Sequence, residues 1–444
     1  MRSHDVKLSI VVPTLDEAPR LPSTLAPLEP LRSAGHEVIV VDGGSRDDTR
    51  NVAARYADRV LAAPRGRAVQ MNTGASVASG QVLLFLHADC RLPAAGAAAI
   101  EGAFGRGHRW GRFDVRLDGR SAWLPLVASM MNRRSAITGI CTGDQGLFVE
   151  RVLFAATGGF PPIALMEDVA FSTTLKSIAG RPACVADRMT ASGRRWDTKG
   201  AWRTIATMWS LRFAHWRGAD PVELARRYYG TPPAPAATLQ IFAKTPLPGR
   251  VKTRLAAVVG DDAAVRVYRD LVLKTLATAA AARRAGVVGD VELWIAPEAA
   301  PGALAGWAAQ LGIPIRTQQG ADLGDRMRHA LNAALARGRP ALLIGTDIPG
   351  FDVAYLAQAA CALQTHDAVI GPAEDGGYVL VGLARAIDAF TDVRWSTPLV
   401  LAQTRANLVR AAARWHELPA LMDIDTHEDL ARWQSPGAAP ALHP

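Results

Sequence analysis

Carboxylates stand at the ends of several apolar runs in the first half of the chain. Asp16 and Glu17 follow the first of these runs, Asp42 ends the segment VIVVD, and Asp89 ends VLLFLHAD. Open parallel sheets bind ligands beyond the carboxyl ends of their strands. A carboxylate there can accept hydrogen bonds from a base or ribose, or hold a divalent cation on a diphosphate. Because an idle carboxylate within an apolar run is costly, we predict that Asp42 and Asp89 are functional.

A loop rich in basic residues opens the second half. The segment FAKTPLPGRVKTRL places Lys244, Arg250, Lys252 and Arg254 around a Pro-Gly turn between a predicted strand and the next helix. Backbone amides at a helix start, together with fixed cations, form an anion site. The segment therefore favours a phosphate-binding loop over a merely solvated basic surface.

Three acidic segments follow this loop. Asp347 ends ALLIGTD, Asp375 precedes two glycines in GPAEDGGY, and Asp423 and Asp425 lie in MDIDTHEDL. The glycines allow close approach of a ligand, and Thr426 is placed to cap the helix that follows. Acidic groups that face a basic loop would suit Mg²⁺-assisted phosphoryl chemistry.

Short apolar runs alternate with helical patterns along the chain, which predicts α/β architecture with a mostly parallel sheet. Both halves begin with an apolar strand, a loop of turn and charged residues, and a helix. We therefore predict two tandem domains of one broad fold. A helix is predicted over residues 47–57, with Ser45 as its N-cap. The predicted strands span residues 8–13, 37–41, 59–62 and 81–86 in the first half, and 239–243, 291–295, 341–345 and 368–371 in the second.

The domain boundary is predicted from length and composition. The chain has 444 residues, more than a single hydrophobic core usually supports. A Pro- and Ala-rich stretch over residues 231–238 predicts a short, stiff linker. The predicted domains are therefore residues 1–230 and 239–433, followed by a disordered tail over residues 434–444.

Charge and hydropathy limit the classes of partner. The net charge of +9 fits anionic ligands. No basic stripe is interleaved with aromatic residues, so nucleic-acid binding is disfavoured. No apolar run reaches the roughly 20 residues that a membrane helix needs. Residues 202–216 mix Trp, Met and Leu with Arg and His; a packed helix is favoured, and peripheral membrane contact stays open beside it.

Cysteine usage favours a reducing compartment. The four cysteines are scattered, no pair has metal-ligand or redox spacing, and the ten histidines do not cluster with them. We predict neither a zinc site nor a disulfide framework. The N-terminal segment enters a strand directly and does not resemble a signal peptide. These features predict a cytoplasmic protein.

Seven segments of the first half resemble, in order and spacing, the family 2 glycosyltransferases. Within that family they look most like the arsenosugar-biosynthesis or radical-SAM/selenodomain-associated transferases. The resemblance covers residues 8 to about 230 and implies a GT-A fold with inverting transfer from a nucleotide sugar. The segments are VVPTLDEA, VDGGSRDDT, GRAVQMNTGA, LFLHAD, TGDQGLFV, GGFPPIALMEDVAFS and SGRRW.

This resemblance implies a donor site. Asp42 would bind the nucleobase or ribose, Arg67 the phosphates, and Asp89 the metal ion, Mg²⁺ or Mn²⁺. One departure concerns the metal motif, which usually carries two acids in the family and has His87 in the first position here. Neutral imidazole can bind a metal, but a hard cation prefers oxygen ligands.

The resemblance also implies an acceptor site. Asp168 of the MED segment would be the general base that deprotonates the acceptor. Arg195 and Trp196 fill the place of an Arg-Trp pair near the diphosphate and acceptor. Asp144 and Gln145 would face the sugar or acceptor.

Residues 239–433 resemble the DUF2064 group, which is related to the guanylyltransferases of phospholactate and molybdenum-cofactor synthesis. The matching segments are FAKTPLPGRVKTRL, GTDIP, GPAEDGGYVLVGL and DIDTHEDL. The resemblance implies that Lys252 and Arg254 hold a triphosphate and that Asp347 and Asp425 bind Mg²⁺. Asp375 is the candidate for a sugar contact or an acceptor base.

We therefore predict a bifunctional transferase with two tandem GT-A-like domains of the nucleotide-diphospho-sugar transferase, Rossmann-like class. The first transfers a sugar from a nucleotide sugar to a hydroxyl, thiol or selenol of a small-molecule or lipid acceptor. The second forms the nucleotide sugar from a sugar phosphate and a nucleoside triphosphate. Two alternatives stay open: two tandem glycosyltransferase domains, or a C-terminal nucleotide-sensing or scaffold module without turnover.

Overall fold

The chain divides into two compact units. The computed structural model describes residues 6–230, 234–297 and 300–434, apart from the side chains of residues 195, 199, 201 and 202. One unit comprises residues 1–234 with 284–286, and the other comprises residues 235–283 with 287–444. The division falls within the stretch predicted as a linker. The predicted tail lies outside the described residues, except for Gln434, which ends the last helix.

The first unit contains an open sheet whose order, within the described residues, is β3-β2-β1-β4-β7-β6-β8-β5. The strands run parallel except for β7 and β5. The four strands predicted for this half are confirmed to within a residue or two at each end. The strands are β1 Leu8–Thr14, β2 Glu37–Asp42, β3 Arg59–Ala62, β4 Val82–Phe85, β5 Cys90–Arg91, β6 Trp110–Asp118, β7 Phe148–Glu150 and β8 Ala183–Ser192.

Helices connect these strands. The helix predicted over residues 47–57 is shorter and begins at Thr49, so Asp48 and not Ser45 is in the N-cap position. The Ser45 hydroxyl donates to the Asp42 carboxylate and accepts from the Asp16 amide. Short 3₁₀ turns cover Ala26–Leu28 and Gly143–Gln145. The α-helices are α1 Leu21–Leu25, α2 Glu29–Ser33, α3 Thr49–Ala54, α4 Arg67–Val77, α5 Gly96–Gly105, α6 Leu124–Thr138, α7 Arg151–Ala156, α8 Glu167–Ala179, α9 Arg194–Lys199, α10 Ala201–Trp216 and α11 Pro221–Tyr229.

Close packing of α4 on the sheet places its first residue near the ligand-binding edge. β1, β2 and β4 are buried on both faces, as their continuous apolar sequences require. The Cα of Gly74 lies so close to β1 and β2 that an added Cβ would overlap Val11. α4 therefore lies directly on the sheet, and Arg67 at its N-terminal end follows the carboxyl end of β3.

The second unit repeats this design. Its sheet order, within the described residues, is β11-β10-β9-β12-β14-β13-β15, with β14 antiparallel to its neighbours. The four strands predicted for this half are confirmed. The strands are β9 Thr238–Ala243, β10 Asp290–Ile295, β11 Ile315–Thr317, β12 Ala341–Ile344, β13 Ala368–Pro372, β14 Tyr378–Leu383 and β15 Trp415–Glu417. The helices are α12 Thr253–Val259, α13 Asp261–Arg284, α14 Ala303–Gln310, α15 Leu323–Leu335, α16 Val353–Ala362, α17 Val400–Arg410 and α18 His427–Gln434.

Each sheet has a point where the strand order reverses. The first three strands of each unit run outward from a central strand, and the fourth returns to its other side, so the reversal lies between β1 and β4 and between β9 and β12. Ligands of open α/β sheets bind at such a point, beyond the carboxyl ends of the strands. The predicted tandem α/β architecture is thus confirmed. Among the described helices, none is both long and apolar enough to cross a membrane.

Candidate functional sites

A cavity of about 320 Å³ in the first unit gathers five of the predicted site residues. These residues are distant in the sequence, but they lie together because the elements that carry them end at the same region of the fold. Asp16, Glu17, Asp42 and Gln145 do not line this cavity. The five predicted residues that line it are Arg67, Asp89, Asp144, Asp168 and Trp196.

Asp168 is held in place by backbone donors at the start of α8. Its Oδ2 accepts a hydrogen bond of 2.8 Å from the Gly143 amide, and its Oδ1 accepts one of 2.7 Å from the Val169 amide. The side chain is half-buried and faces the cavity. A carboxylate oriented by two amides retains free lone pairs, so Asp168 can still accept a proton from a bound molecule.

Opposite charges face one another across this cavity. Burial and the neighbouring Asp168 carboxylate raise the pKa of Glu167 to about 6, although Arg67 opposes the shift. Desolvation lowers the pKa of Arg67, but Tyr229, Glu167, Asp144 and other acidic groups outweigh it and raise the pKa overall. The guanidinium therefore stays charged, and it offers the cavity a fixed cation for an anionic ligand.

His87, Cys90 and Asp144 form a group that the sequence did not predict. One ligand atom from each lies within 4.8 Å of the other two, and His87 Nδ1 is 3.5 Å from Asp144 Oδ1. Sequence spacing did not reveal this group, because the turn after β4 folds back on the Gly143 loop and so brings His87 to Asp144. Gly143 permits this, since a Cβ there would overlap the His87 imidazole.

The donor atoms of this group suit a divalent cation. Imidazole and carboxylate are common ligands of divalent metals, whereas the thiol of Cys90 favours softer ions than Mg²⁺. Asp89, the predicted metal ligand, is not a member of the group; its Oδ1 lies 3.9 Å from Cys90 Sγ. His87 and Asp144 are thus the residues that fit an ion best.

Asp42 and Asp16 use their carboxylates to shape the loop beyond β2. The Asp42 carboxylate accepts hydrogen bonds from the amides of Gly44 and Ser45 and from the Ser45 hydroxyl. Asp16 Oδ1 accepts one of 2.8 Å from the Arg46 amide. The Asp42 carboxylate is therefore not idle even without a ligand, because local hydrogen bonds compensate its burial.

Gln145 and Arg195 were both predicted to lie near the acceptor. Gln145, predicted to face the sugar or acceptor, is fully buried, and its Oε1 accepts hydrogen bonds from the Thr142 amide and hydroxyl. The side chain of Arg195 lies outside the described part of the structure. The neighbouring Arg194 places its Nη2 3.7 Å from Glu17 Oε1. Arg194, one position earlier, lines the cavity.

Arg212 is a cavity residue that sequence reasoning missed. It lies on α10, four residues after Met208 and eight after Thr204, and all three line the cavity. Its Nη2 is buried and has no hydrogen-bond partner among the described residues. The i, i+4, i+8 spacing could have shown that these residues share one helix face.

An adjoining face of α10 is aromatic and exposed, and its Trp216 follows Arg212 by one helical turn. Trp209, Phe213 and Trp216 are 68%, 57% and 80% exposed, whereas Leu211 on the same helix is buried, so the helix is packed on one face only. Arg217 lies over the Phe213 ring at 5.8 Å. The helix contains no acidic residue. One face of α10 therefore forms the cavity wall while the adjoining face presents apolar rings and positive charge to solvent.

A larger cavity, of about 870 Å³, occupies the second unit. It lies beyond the carboxyl ends of β9 and β12. Asp375 is not among its lining residues; its Oδ1 accepts a 2.9 Å hydrogen bond from the Gly377 amide. Arg326, which the sequence did not single out, does line it. The predicted residues that line it are Lys244, Arg250, Lys252, Arg254, Asp347 and Asp425.

Lys252 and the two predicted metal ligands are paired with one another. Lys252 Nζ lies 2.9 Å from Asp347 Oδ1 and 3.0 Å from Asp425 Oδ1, and it also donates to the Ile424 carbonyl. The two carboxylates are the oxygen ligands that Mg²⁺ prefers. An ammonium group, however, lies between them. In this arrangement the residues do not fit a divalent ion.

Further acidic groups lie beside this cavity. Burial, followed by the nearby Asp375 and Asp425 carboxylates, raises the pKa of Asp423 to about 6. Thr426 caps α18 as predicted, because its Oγ1 accepts a hydrogen bond of 3.2 Å from the Asp429 amide. Asp429 Oδ2 in turn accepts from the Thr426 amide. This reciprocal cap fixes the loop that carries Asp425.

Family models match a segment of each half. Residues 9–97 match "Glycosyl transferase family 2", and residues 276–397 match "Uncharacterized protein conserved in bacteria (DUF2064)". With the two sheets, these matches confirm the predicted fold class of two GT-A-like α/β units. The first half thus carries a family 2 glycosyltransferase segment and the second a DUF2064 segment.

Individual relatives cover parts of the chain. A "PGL/p-HBAD biosynthesis glycosyltransferase" of Mycobacterium bovis is 36% identical over 103 residues, 22% of this chain and 40% of that protein. The chain thus spans about two fifths of the length of the curated relatives it matches. A crystal structure from Desulfovibrio desulfuricans G20, named as a nucleotide-diphospho-sugar transferase, is 36% identical and matches 44% of this chain and 84% of its own, with a TM-score of 0.40. Glucosyl-3-phosphoglycerate synthase from Mycobacterium tuberculosis, solved with Mn²⁺ and UDP, is 20% identical over 42% of this chain and 70% of its own, with a TM-score of 0.33.

Proposed function

We propose that the chain, whose residues 9–97 match family 2 glycosyltransferases, transfers a sugar from a nucleotide-sugar donor to an acceptor with inversion. The observation that carries this proposal is one cavity that joins an amide-oriented carboxylate, Asp168, to three arginines, Arg67, Arg194 and Arg212. A base and a set of fixed cations are the two requirements of such a transfer.

The reaction is a single displacement. The acceptor oxygen (or sulfur or selenium) loses its proton to Asp168 as it forms a bond to the anomeric carbon of the sugar. The bond from that carbon to the diphosphate oxygen breaks, and its electron pair leaves with the diphosphate. The three arginines stabilise the negative charge that builds on this leaving group. Trp196 forms part of the cavity wall.

A divalent ion, Mg²⁺ or Mn²⁺ as predicted, would add a second source of charge neutralisation at the diphosphate. His87 and Asp144 would hold it, with Asp89 and Cys90 beside them. The proposal does not depend on this ion, because Arg67 and Arg212 already offer positive charge to the same cavity.

For the second unit we propose formation of the nucleotide sugar from a sugar phosphate and a nucleoside triphosphate. A sugar-phosphate oxygen forms a bond to the α-phosphorus, and the bond from that phosphorus to pyrophosphate breaks. The support is a large cavity with basic side chains from one loop, Lys244, Arg250 and Arg254, joined by Arg326. These cations match the charge of a departing pyrophosphate. Donor synthesis and donor use would then be joined in one chain.

The exposed face of α10 favours a lipid-bearing acceptor over a small soluble one. Its aromatic rings, without acidic neighbours on the helix, are typical of a helix that lies on an anionic membrane surface. Because Thr204, Met208 and Arg212 on the adjoining face line the first cavity, docking of this face would bring a membrane-held acceptor near Asp168.

Substitution of Asp168 tests the base. Once a screen of nucleotide sugars by thermal shift has identified the donor, Asp168→Asn should lower kcat by about 10²–10⁴ and change the donor Kd little, because the amide cannot accept the acceptor proton. Asp118→Asn, an exposed carboxylate outside the cavity, is the matched control. Retention of near wild-type kcat in Asp168→Asn would contradict the assignment.

Pyrophosphate release tests the second unit. The full chain, given Mg²⁺, each nucleoside triphosphate and a panel of sugar phosphates, should release pyrophosphate with one combination. Arg254→Ala should weaken triphosphate binding at least about tenfold, since a charged hydrogen bond contributes 1.5–3 kcal/mol, whereas Arg339→Ala, paired with Asp290 outside the cavity, should not. Tight binding of nucleotide sugars with no response to any triphosphate would favour tandem glycosyltransferase domains, and nucleotide binding without turnover would favour a sensing module.

Vesicle sedimentation tests the α10 face. The full chain should co-sediment with anionic phospholipid vesicles and less with zwitterionic ones. Replacement of both Trp209 and Trp216 by serine should weaken this binding at least about tenfold, because the buried apolar area of two rings is lost. Trp123→Ser, at another exposed tryptophan, is the control. No sedimentation of the wild type with anionic vesicles, or equal loss in the control, rules the surface out.

A further inference from the structure

The ammonium group of Lys252 is enclosed beneath two carboxylates that face the second cavity. The Lys252 side chain is 3% exposed, whereas those of Asp347 and Asp425 are 43% and 41% exposed. Its Nζ donates a 3.0 Å hydrogen bond to Asp425 Oδ1 and forms an ion pair with Asp347 Oδ1 at 2.9 Å. The lysine thus compensates one of the two negative charges from the protein side and leaves the outer carboxylate surface open to the cavity.

The backbone holds this arrangement in place. Lys252 has a φ of 50°, in the left-handed region, where it precedes α12. The Ile424 amide donates a 3.1 Å hydrogen bond to the Asp347 carbonyl, so the two acidic loops are joined next to their carboxylates. Ile424 is fully buried. The carboxylates are therefore kept together without any added ion.

A divalent cation and this ammonium group compete for the same carboxylates. An ion bound by both Asp347 and Asp425 would lie between them, close to Lys252 Nζ, and the two like charges would repel. The carboxylates can therefore bind the ion well only after the ammonium has moved. A polyphosphate in the cavity offers oxygens that can accept the ammonium, and the cavity of about 870 Å³ has room for it.

We propose that Lys252 is the resident cation of the Asp347–Asp425 pair, and that a divalent ion enters this pair only together with a polyphosphate ligand that draws Lys252 away. The proposal rests on the phosphate-binding role given to this cavity above. Because coupling between two ligands is reciprocal, the ion and the polyphosphate each strengthen the binding of the other. Neither ligand is required to hold the two carboxylates beside one another, because the Ile424 amide already joins their loops.

A titration with Mn²⁺ alone tests the proposal without any turnover. In the full chain without phosphate, free Mn²⁺ is read from its EPR signal for the wild type, Lys252→Met and Arg254→Met. Lys252→Met should gain one Mn²⁺ site at least tenfold tighter than any that the wild type shows at this pair. Arg254→Met loses the same charge from a side chain that is 73% exposed and 3.8 Å from Asp425, and it should change Mn²⁺ affinity less than threefold. Adding Asp347→Asn to Lys252→Met should remove the new site.

A second comparison does not require Lys252→Met to fold. Asp347→Asn in the wild-type background should leave Mn²⁺ binding without phosphate unchanged, because the ammonium already occupies the pair. Loss of a Mn²⁺ site in Asp347→Asn overturns the proposal, as does equal Mn²⁺ affinity in wild type and folded Lys252→Met. These titrations use only Mn²⁺, so their outcome does not depend on the activity proposed for the second unit. Absence of pyrophosphate release would refute that activity and would leave the role of Lys252 to be decided by the titrations.

Discussion

Parallel pairing of the central strands is the constraint on which both sites depend. β1 pairs with β2 and β4 so that Thr14 lies opposite Asp42 and Val11 lies opposite Phe85. Segments separated by tens of residues therefore end at one edge of the sheet. β9 pairs with β10 and β12 in the same manner. Polar loops that the sequence spreads over the chain are thus brought to one region in each unit.

The two units compensate their buried charges differently. In the first, carboxylates and arginines line one cavity, and Glu167 and Arg67 perturb one another through space. In the second, Lys252 lies in direct contact with both acids at hydrogen-bond distance. A cavity with separated charges suits two ligands, a donor whose diphosphate leaves as an anion and an acceptor that gives up a proton. In the second unit, by contrast, Lys252 must leave Asp347 and Asp425 before these carboxylates can bind another cation.

The strands, and the acidic residues at their carboxyl ends, could be predicted from the sequence because an apolar run followed by an acidic residue is a short-range pattern. It could not predict contacts between loops. The pairing of Lys252 with Asp425 spans 173 positions, and that of His87 with Asp144 depends on Gly143 leaving room for the imidazole. The start of α3 was also missed: the helix begins at Thr49, so Ser45 lies in the preceding loop, where its hydroxyl donates to Asp42. Arg212 was missed because residues 202–216 were considered as one helix, either packed or in contact with a membrane, and not as faces with different environments.

The central claim is that the first cavity receives the diphosphate of a nucleotide sugar, and Arg212 tests it most directly because its buried Nη2 has no partner in the described structure. Isothermal titration calorimetry would compare a nucleoside diphosphate with the free nucleoside, in wild type, Arg212→Met and the control Arg203→Met on the exposed side of the same helix. We predict that Arg212→Met lowers the affinity for the nucleoside diphosphate at least about tenfold, as loss of a charged hydrogen bond implies. The affinity for the free nucleoside should stay unchanged. Equal diphosphate affinity in wild type and Arg212→Met would contradict the account.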